Sequence, residues 1–405
     1  MGTIDIIPVT VEGVILPRLR TGDIEHRLRT HLHKAHTFMY RAQFPEAETL
    51  LTQASALAPQ HPKVHQGWGQ LKMLAGDYAP ESWDAVAFGR WPRLRERFAA
   101  PFWAGEAMPG GRLLLWTSHY GMGDLLLFCR MFDAIKAQSG AELWVETPKG
   151  LSSLLCRGVT GVDRYLEPNS VETDVQAHLP IDYWPIVIPL TPELLHRSRY
   201  LTPDPDALAS DQRPRSETTL LHVGLHWQTH GTHHMARERT IPLRALAPLF
   251  DLPGVRFYAL QPGGQADLAA YGPGILDYGQ VDDPGERFVK TAALLLDLDL
   301  VIACDSAVNH LAGAVGTPCW LLLPYFHAPY WQVGRTDTVW YPQHRVFRQP
   351  RMGAWAPVVT EVREALTALV RDPYPRDGPR TLTGGSAGAV EGAIQGLPSG
   401  GTAGA

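Results

Sequence analysis

The amino-acid sequence predicts a protein of the α/β class, with two α/β units behind a short helical segment. Short apolar strands alternate with amphipathic helices from Arg112 onward, which is the pattern of a parallel sheet covered by helices. A polar stretch rich in Pro and Asp at 202–217 interrupts this alternation before it resumes. Residues 28–61 have instead the spacing of a helical hairpin. The length of 405 residues fits two or three domains.

These observations set the expected domain boundaries. We expect an N-terminal extension at 1–25, a helical segment at 26–100, a first α/β unit at 101–215, a second at 216–372 and a tail at 373–405. The tail has almost no large apolar side chains, so we expect it to be disordered.

The helical hairpin at 28–61 has the spacing of a tetratricopeptide repeat, a unit of roughly 34 residues. Its small residues are Ala35, Ala47 and Ala54, its larger ones are Phe38 and Leu51, and Pro59 closes its second helix. A weaker second copy follows, with Trp68 and Gly69 at the positions of Lys34 and Ala35. Two repeats bury little surface by themselves, so we expect this segment to pack on the following domain or on a partner.

Strands are predicted at the apolar runs of each unit. In the first unit these are "RLLLWT", "AELWVE" and "VDRYLEP". In the second unit they are "LLHVGLHW", "VRFYALQ", "LVIACD" and "CWLLLP", with helices in "ERFVKTAALLLDLD" and "SAVNHLAGAVG".

Composition excludes several classes of protein. A net charge of -5 gives no electrostatic basis for nucleic-acid binding. The four cysteines are far apart in apolar runs, which favours buried thiols in a reducing compartment over a disulfide framework. The N-terminus lacks a basic start and is a poor signal peptide, and no apolar run approaches the roughly 18 residues of a membrane span. These features predict a cytoplasmic protein.

The stretch "SHYGMGDLLLFCRM" lies between the first predicted strand and a helix and contains two glycines. A dinucleotide fingerprint would have a third glycine where Leu126 stands, and a Walker loop would end in Gly-Lys-Ser/Thr, which is absent. What remains is a tight turn, Gly121, Met122 and Gly123, that presents Asp124 at the carboxyl edge of a sheet, where open α/β folds bind ligands. Alternatively, Asp124 is a helix cap.

A comparable turn occurs in the second unit, where a strand ends at Asp305 and Ser306 and Ala307 open a helix. Amide groups at such a helix start can bind a diphosphate. We place Asn309 and His310 in the first turn of this helix. Gly313 and Gly316 are expected to permit close helix packing. The alternative is an ordinary N-cap at Asp305 with a hydrogen-bonded histidine behind it.

The stretch "HWQTHGTHHMARERTIPL" contains Arg237 and Arg239, whose guanidinium groups suit phosphate oxygens. Five histidines crowd the same region, namely His222, His226, His230, His233 and His234. No Cys or carboxylate pattern of a metal site accompanies them, so a solvated loop is favoured over metal binding.

Taken together, the motifs resemble those of a known family. They are "ESWDAVAFGRW", "PFWAGEAMPGGRLLLW", "GMGDLLLFCR", "VGLHWQ" with "RERTIPL", "FYALQPG", "LDLDLVIACDSAVNHLAGAVGTPCWLLLP" and "WYPQHRVFRQPRMGAW". In this order they resemble the bacterial tetratricopeptide-repeat proteins whose glycosyltransferase domain is similar to the heptosyltransferases. More distantly, the chain resembles the O-linked N-acetylglucosamine transferases. The resemblance covers roughly 28–370, by the order of the motifs.

The resemblance implies two Rossmann-like domains in the GT-B arrangement, with the acceptor on the first and a nucleotide-sugar donor on the second. Asp124 matches the aspartate proposed as general base in the heptosyltransferases, and Gly121, Met122 and Gly123 form the acceptor-side loop. The predicted donor-binding residues are Trp227, Gln228, Arg237, Arg239, Gln261, Asp305, Ser306, Ala307 and His310. The chain departs from the pattern at 228–236, where relatives often have a Gly-Asn-Pro-like stretch.

The predicted function is therefore inverting, metal-independent transfer of a sugar from a nucleotide-sugar donor, with no other cofactor. The acceptor is expected to be a glycan, a lipid-linked glycan or a protein, and the helical repeats could bind a protein partner. The location is cytoplasmic, free or peripheral at the inner membrane. One alternative is a non-catalytic interaction protein with a relic nucleotide-binding domain. A zinc hydrolase using the histidines would require tightly bound metal.

Overall fold

The computed structural model describes residues 10–11, 14–15, 21–87, 97–117, 121–168, 174–214, 219–229 and 234–373. Several predictions fall outside these residues: the tail beyond residue 373, the segment 118–120 of the first turn, and both His230 and His233.

The chain begins with two short antiparallel strands and a helical segment. The strands are β1 (Thr10–Val11) and β2 (Val14–Ile15), and the helices are α1 (Thr21–Met39), α2 (Phe44–Leu57), α3 (Pro62–Ala75) and α4 (Pro80–Ala87). The predicted small positions Ala35, Ala47 and Ala54 are fully buried between the helices. The two predicted helical hairpins are therefore present, and α1 begins at Thr21, five residues before the expected boundary at 26.

The first α/β unit is built on a four-stranded sheet in the order β5-β4-β3-β6, with parallel pairing throughout. Its strands are β3 (Arg112–Trp116), β4 (Glu142–Glu146), β5 (Arg164–Leu166) and β6 (Ala177–Pro180). Its helices are α5 (Met122–Phe128), α6 (Phe132–Ser139), α7 (Ser152–Gly158), α8 (Trp184–Val187) and α9 (Pro192–Leu195).

The second unit is built on a six-stranded parallel sheet in the order β12-β11-β10-β7-β8-β9. Its strands are β7 (Leu221–His226), β8 (Val255–Ala259), β9 (Ile275–Asp277), β10 (Leu300–Cys304), β11 (Cys319–Leu323) and β12 (His344–Arg348). Its helices are α10 (His234–Arg239), α11 (Leu243–Leu246), α12 (Gln265–Leu268), α13 (Val289–Leu296), α14 (Ala307–Val315) and α15 (Trp355–Arg371). The predicted α/β class, with two Rossmann-like units behind a helical segment, is confirmed.

Strand order explains where ligands can bind. In the second sheet the chain moves outward from β7 to one edge and then returns to β10 on the other side of β7. The first sheet reverses in the same way between β3 and β6. Loops after the central strands leave in opposite directions at such a reversal, so a crevice opens beyond the carboxyl ends. Asp124 follows β3, and Ser306 follows β10, so both predicted turns lie at these reversals.

The predicted linker at 202–217 is packed onto the protein in its described part. Leu208 is only 2% exposed, and the Arg213 guanidinium pairs with Asp297 at 2.8 Å. Just before it, the Leu201 amide donates a hydrogen bond of 3.1 Å to the Ala314 carbonyl in the second unit. One apolar cluster contains side chains from both α5 and α14, so the two units share a continuous core.

Two further predictions can be compared with the structure. All four cysteines are free thiols, but Cys156 is exposed, because Leu154 and Leu155 occupy the buried side of the short helix α7. In the described part of the chain, no helix is both long enough and apolar enough to cross a membrane.

Candidate functional site

Asp124 is the third residue of α5, and its carboxylate has a local partner. The Gly121 amide, at the N-cap position, donates a hydrogen bond of 3.2 Å to Asp124 Oδ2. The capping role considered for this aspartate is therefore present. Asp124 also lines a cavity of about 180 Å³.

The glycines of this turn are explained by close packing. Gly121 has an ordinary φ of -82°, which any residue can adopt. A Cβ built on Gly123 would lie 3.1 Å from Cδ2 of His310 and 3.4 Å from the Ala307 amide nitrogen. A side chain at position 123 would therefore crowd the start of α14, which favours glycine at this position.

The start of α14 is capped in an unusual way. Its N-cap is Ser306, so the alternative prediction of an N-cap at Asp305 is wrong by one residue. The Ser306 side chain accepts no hydrogen bond from the first amides of the helix. The Ser306 hydroxyl instead lies 3.1 Å from Nδ1 of His226. Asn309 Nδ2 donates a hydrogen bond of 2.7 Å to the Ser306 carbonyl, which fixes the conformation of the turn. No side-chain oxygen of the N-cap therefore competes for the first amides of α14.

A buried ion pair flanks this helix start. The Asp305 side chain is 2% exposed, and its Oδ2 lies 3.4 Å from Nε of Arg239, whose side chain is 30% exposed. Asp305 raises the pKa of the Arg239 guanidinium above its usual range, with smaller contributions from Tyr330 and Asp124. Neither of these two atoms has a hydrogen bond of good geometry among the described residues. The pair therefore holds the Arg239 guanidinium at the crevice, and its Nε keeps an unused hydrogen-bond donor.

The predicted donor residue His310 is enclosed by aromatic side chains. Its Nδ1 lies 3.0 Å from the Tyr341 hydroxyl, and its ring stacks on Trp331 with 5.4 Å between centroids. Burial lowers the pKa of this imidazole to about 3, with help from the positive charges of Arg130 and Arg239. His310 is thus a neutral, hydrogen-bonded histidine that braces the start of α14 against Gly123.

The remaining predicted donor residues differ in accessibility. Trp227 is 1% exposed and packs in the core of the second unit, with its Nε1 3.4 Å from Asp267 Oδ2. Gln261 is equally buried, and its Oε1 accepts a hydrogen bond of 2.8 Å from the Gln228 amide. Gln228 and Arg237 are exposed. Trp227 and Gln261 therefore hold the loop after β7, whereas the Arg237 side chain is open to solvent.

The prediction of a solvated histidine loop is wrong for two of its five members. His222 and His226 lie in β7, a central strand of the parallel sheet that is buried along its whole length, and the strands of such sheets are covered on both faces. His222 Nδ1 lies 2.8 Å from the Tyr258 hydroxyl, whereas His226 faces Ser306. Among the described residues, no group of three His, Cys, Asp or Glu side chains could hold a metal ion.

The helical segment lines part of the candidate site, and this contribution was not predicted from the sequence. The Tyr78 hydroxyl donates 2.7 Å to the Tyr330 carbonyl, and the Tyr40 hydroxyl donates to the His327 carbonyl. These bonds fix α1 and α3 against the loop after β11, beside the crevice. As a result, α3 and α4 line the cavity at Asp124 through Gln66, Gln70, Met73, Trp83, Val86 and Ala87.

Comparison with known proteins gives distant similarities. No protein-family model matches the chain. Protein FlbA of Caulobacter vibrioides is 28% identical over 338 residues, which cover 73% of this chain and 53% of FlbA. The chain thus spans about half the length of the curated relative that it matches.

Similar solved structures include several glycosyltransferases. The E. coli ADP-heptose LPS heptosyltransferase II is 13% identical with a TM-score of 0.42, over 64% of this chain and 98% of that chain. A glycosyl transferase family 9 protein of Veillonella parvula is 12% identical with a TM-score of 0.45, over 66% of this chain and 99% of that chain. A mutant O-GlcNAc transferase of Thermobaculum terrenum is 12% identical with a TM-score of 0.28, over 86% of this chain and 88% of that chain.

Proposed function

We propose that this chain is an inverting, metal-independent glycosyltransferase with a nucleotide-sugar donor and the GT-B arrangement. The observation that carries the proposal is the meeting of three groups at the two chain reversals. Asp124 lies at one reversal. At the other reversal lie the Arg239–Asp305 pair and the start of α14, whose first amides have no side-chain cap. Gly123 links them by direct contact with the start of α14. A base and an anion site are therefore adjacent.

The diphosphate of the donor would lie at the start of α14. Backbone amides at a helix start, together with the positive end of the helix dipole, favour an anion. The small side chains of Ser306 and Ala307 let phosphate oxygens approach these amides, and the Arg239 guanidinium supplies a fixed positive charge. Arg237, an exposed residue two positions before Arg239 in α10, would add a second positive charge to this region. No metal ion is required for charge balance in this arrangement.

Asp124 would act as the general base. The acceptor hydroxyl attacks the anomeric carbon from the face opposite the nucleotide, and Asp124 takes the hydroxyl proton as the new glycosidic bond forms. The bond from the anomeric carbon to the diphosphate oxygen breaks, and its electron pair leaves on the nucleoside diphosphate. The α14 amides and Arg239 stabilise that charge. One displacement inverts the anomeric configuration.

The first experiment identifies the donor. A thermal-shift screen of nucleotides and nucleotide-sugars measures stabilisation, which reaches about 2.7 kcal/mol when the ligand is at about a hundred times its dissociation constant. ADP-sugars head the panel, because a similar solved structure, E. coli heptosyltransferase WaaC, is described with ADP. Sugar release from the donor is then followed by mass spectrometry.

Asp124→Asn tests the assignment of the base. We expect this variant to bind the donor as the wild type does and to lose transfer by at least about a hundredfold, as for the loss of a general base. Asp23→Asn is the matched control, because Asp23 is an exposed carboxylate in the first turn of α1. Equal turnover by the Asp124→Asn and wild-type proteins would contradict the assignment.

A second candidate is a non-catalytic nucleotide-binding protein in which the helical segment recruits a partner. The hydrogen bond from the Gly121 amide favours it, because that bond gives Asp124 a structural role without chemistry. In this case Asp124→Asn would lower the melting temperature, donors would bind, and no nucleotide-sugar of the panel would release its sugar.

A further inference from the structure

A chain of buried hydrogen bonds crosses the junction between the two α/β units. It begins at the Leu126 carbonyl in α5, which accepts a hydrogen bond of 2.7 Å from the Tyr200 hydroxyl. The Tyr200 and Tyr341 oxygens are 3.3 Å apart, and the Tyr341 oxygen lies 3.0 Å from Nδ1 of His310 in α14. All three side chains are buried. The helix that carries Asp124 is therefore connected to the helix at the proposed anion site by consecutive hydrogen bonds.

The protons of this chain can be assigned from its end in α5. Tyr200 has one hydroxyl proton, and the Leu126 carbonyl, which can only accept, takes that proton. The Tyr341 hydroxyl must therefore supply the proton between the two tyrosines. Tyr341 then has no proton left for His310, so the imidazole carries its own proton on Nδ1 and donates it to the Tyr341 oxygen. Every hydrogen bond of the chain thus points from α14 toward α5.

Arg130 favours the same direction. Its Nη2 donates a hydrogen bond of 3.3 Å to the Tyr200 oxygen, and a guanidinium group can only donate. The Tyr200 oxygen therefore accepts from two donors, while its proton stays with the carbonyl. Burial raises the pKa of Tyr200 to about 12 and raises the pKa of Tyr341 well above its usual range, so both hydroxyl groups keep their protons near neutral pH.

The direction of the chain decides the tautomer of a predicted donor residue. Burial lowers the pKa of His310 to about 3, so the neutral ring has one proton to place on either nitrogen. With that proton on Nδ1, Nε2 is an acceptor. The carbon bonded to Nε2, Cδ2, would lie 3.1 Å from a Cβ built on Gly123, the neighbour of Asp124. The chain therefore decides whether the edge of His310 that faces the first turn accepts or donates a hydrogen bond.

Packing holds the two rings at the α14 end of the chain in place. A Cβ built on Gly313, one turn after His310, would overlap the Tyr341 ring, so that ring lies directly against the helix. The His310 ring stacks on Trp331, with 5.4 Å between centroids. Neither ring can turn without moving its neighbours. The Tyr341 oxygen and Nδ1 of His310 are thus organised before a ligand binds.

We infer that Tyr200 and Tyr341 are positioning residues that hold His310 as its Nδ1–H tautomer and fix the start of α14 relative to Asp124. The expected effect on catalysis rests on the proposed glycosyltransferase activity, because it requires sugar transfer at Asp124. The tautomer of His310 can be measured without any turnover.

The first test observes that tautomer by nitrogen NMR of the full chain with labelled histidines, since protonated and unprotonated ring nitrogens resonate far apart. The His310 signals are identified by their absence in His310→Gln. We expect Nδ1–H in the wild type. Tyr200→Phe removes the acceptor of the Tyr341 proton, so Tyr341 can donate to Nδ1 and the tautomer should change to Nε2–H. An Nε2–H wild type, or an unchanged tautomer in Tyr200→Phe, would overturn the inference.

Kinetics with the donor found in the screen supply the second readout. Tyr200→Phe and Tyr341→Phe should each lower kcat by at least about tenfold, because small displacements of reacting groups have effects of this size. Affinity for the nucleotide alone should stay within about threefold, since the α14 amides and Arg239 are kept. Tyr258→Phe is the matched control: Tyr258 is buried, and its hydroxyl lies 2.8 Å from Nδ1 of His222 within the second sheet.

The control separates positioning from general stabilisation. Tyr258→Phe loses a buried contact between a tyrosine and a histidine, as Tyr341→Phe does, so urea unfolding should show similar losses, but kcat should be that of the wild type. Because the two hydroxyl groups belong to one chain, the double variant Tyr200→Phe with Tyr341→Phe should have a kcat little lower than either single variant. Multiplied losses in the double variant would contradict a shared chain.

The two proposals fail in different ways. A wild-type protein that turns over no nucleotide-sugar of the panel removes the proposed function and the catalytic effect of the two tyrosines, whereas the tautomer still tests the hydrogen-bond chain. A wild-type protein that is active, with equal kcat in Tyr200→Phe, Tyr341→Phe and Tyr258→Phe, removes only the positioning role.

Discussion

Gly123 of the first α/β unit lies directly against Ala307 of the second. A Cβ built at Gly123 would be in van der Waals contact with Cα and N of Ala307, at 3.4 Å from each, and would lie 3.1 Å from Cδ2 of His310, closer than most real Cβ contacts. This contact joins the start of α5 to the start of α14, so the two strand-order reversals of the molecule lie next to each other. A side chain larger than a methyl group at position 123 must therefore displace the start of α14 or the ring of His310.

We expect Gly123→Val to separate the two helix starts. The added branches must displace Ala307 or the ring of His310, and overpacking of this kind costs about 1–3 kcal/mol. Donor-induced thermal stabilisation should be lost as well, because the side chain occupies the space over the α14 amides. Differential scanning fluorimetry with and without donor measures both effects. Gly274→Val is the control, since nothing lies within 4 Å of a Cβ at Gly274. Normal stability and donor binding in Gly123→Val would refute the close-packing role.

Loss of Arg239 should affect both stability and donor binding. Arg239→Met leaves the buried Asp305 carboxylate without its cation, and breaking a buried pair costs about 3–5 kcal/mol. Because the Arg239 side chain is 30% exposed, we expect the lower end of this range. Urea unfolding measures the loss, and Arg237→Met, an exposed arginine of the same helix, should change stability by less than about 0.5 kcal/mol.

The double variant Arg239→Met with Asp305→Asn separates the two effects. Removing both charges should restore much of the stability, because the uncompensated carboxylate is gone, while donor binding remains weak. Recovery of donor binding together with stability would show that Arg239 acts only through Asp305.

The sheets could be predicted from the sequence because their central strands are buried on both faces. Such strands appear as continuous apolar runs, as in β10 and β11, and each lies where the pattern placed it. The short strand β6 and the strand β12, with its arginines and histidine, have weaker patterns and were not predicted. Strand order depends on contacts between distant segments, which local periodicity does not record.

The site could be predicted only in part. The positions of Asp124 and Ser306 at two helix starts could be predicted because a strand–turn–helix pattern with small residues is local in sequence, whereas their roles stay predictions. Close packing at Gly313 was also predicted correctly, since a Cβ there would lie 2.2 Å from the Tyr341 ring. The lining of the cavity at Asp124 by α3 and α4 was missed, because it depends on where the helical segment docks. The helical segment is held in place by hydrogen bonds from tyrosine hydroxyls to carbonyls, such as that of Tyr78, and such bonds leave no periodic pattern in the sequence.

Acid should destabilise the fold through buried histidines. Burial lowers the pKa of His310, His327 and His344 to about 3 each. In the unfolded chain each would take up a proton below about pH 6.5, whereas the folded protein stays unprotonated until far lower pH. The unfolded state therefore binds more protons, and the free energy of unfolding falls as pH falls through this window.

The expected slope is up to about 1.4 kcal/mol per pH unit for each histidine, and these groups contribute no slope above about pH 7. Urea midpoints measured at intervals from about pH 7.5 to pH 5 give the slope directly. Burial also lowers the pKa of His178 to about 4, so four histidines contribute to the slope, and His344→Gln should reduce it by about one quarter. A midpoint that is constant between about pH 6.5 and pH 5 would rule out neutral burial of these side chains.

Arg130 should be the arginine whose loss most weakens the junction of the two units. It is fully buried, and its Nη1 donates 2.7 Å to the Leu195 carbonyl in the first unit and 3.0 Å to the Trp340 carbonyl in the second. Its guanidinium also lies over the Tyr200 and Tyr341 rings, at 4.7 and 4.8 Å from their centroids. Among the described residues it has no carboxylate partner, so carbonyl dipoles and ring faces hold its charge.

We expect Arg130→Lys to lower the free energy of unfolding by about 2–4 kcal/mol, although the charge is kept. One ammonium group cannot reach carbonyls in both units and stack on the rings at once, so buried acceptors lose their donors. Arg157→Lys, an exposed arginine on α7, is the matched control and should change stability by less than about 0.5 kcal/mol. If urea unfolding of Arg130→Lys matched that of the control, shared burial of apolar side chains alone would hold the two units together.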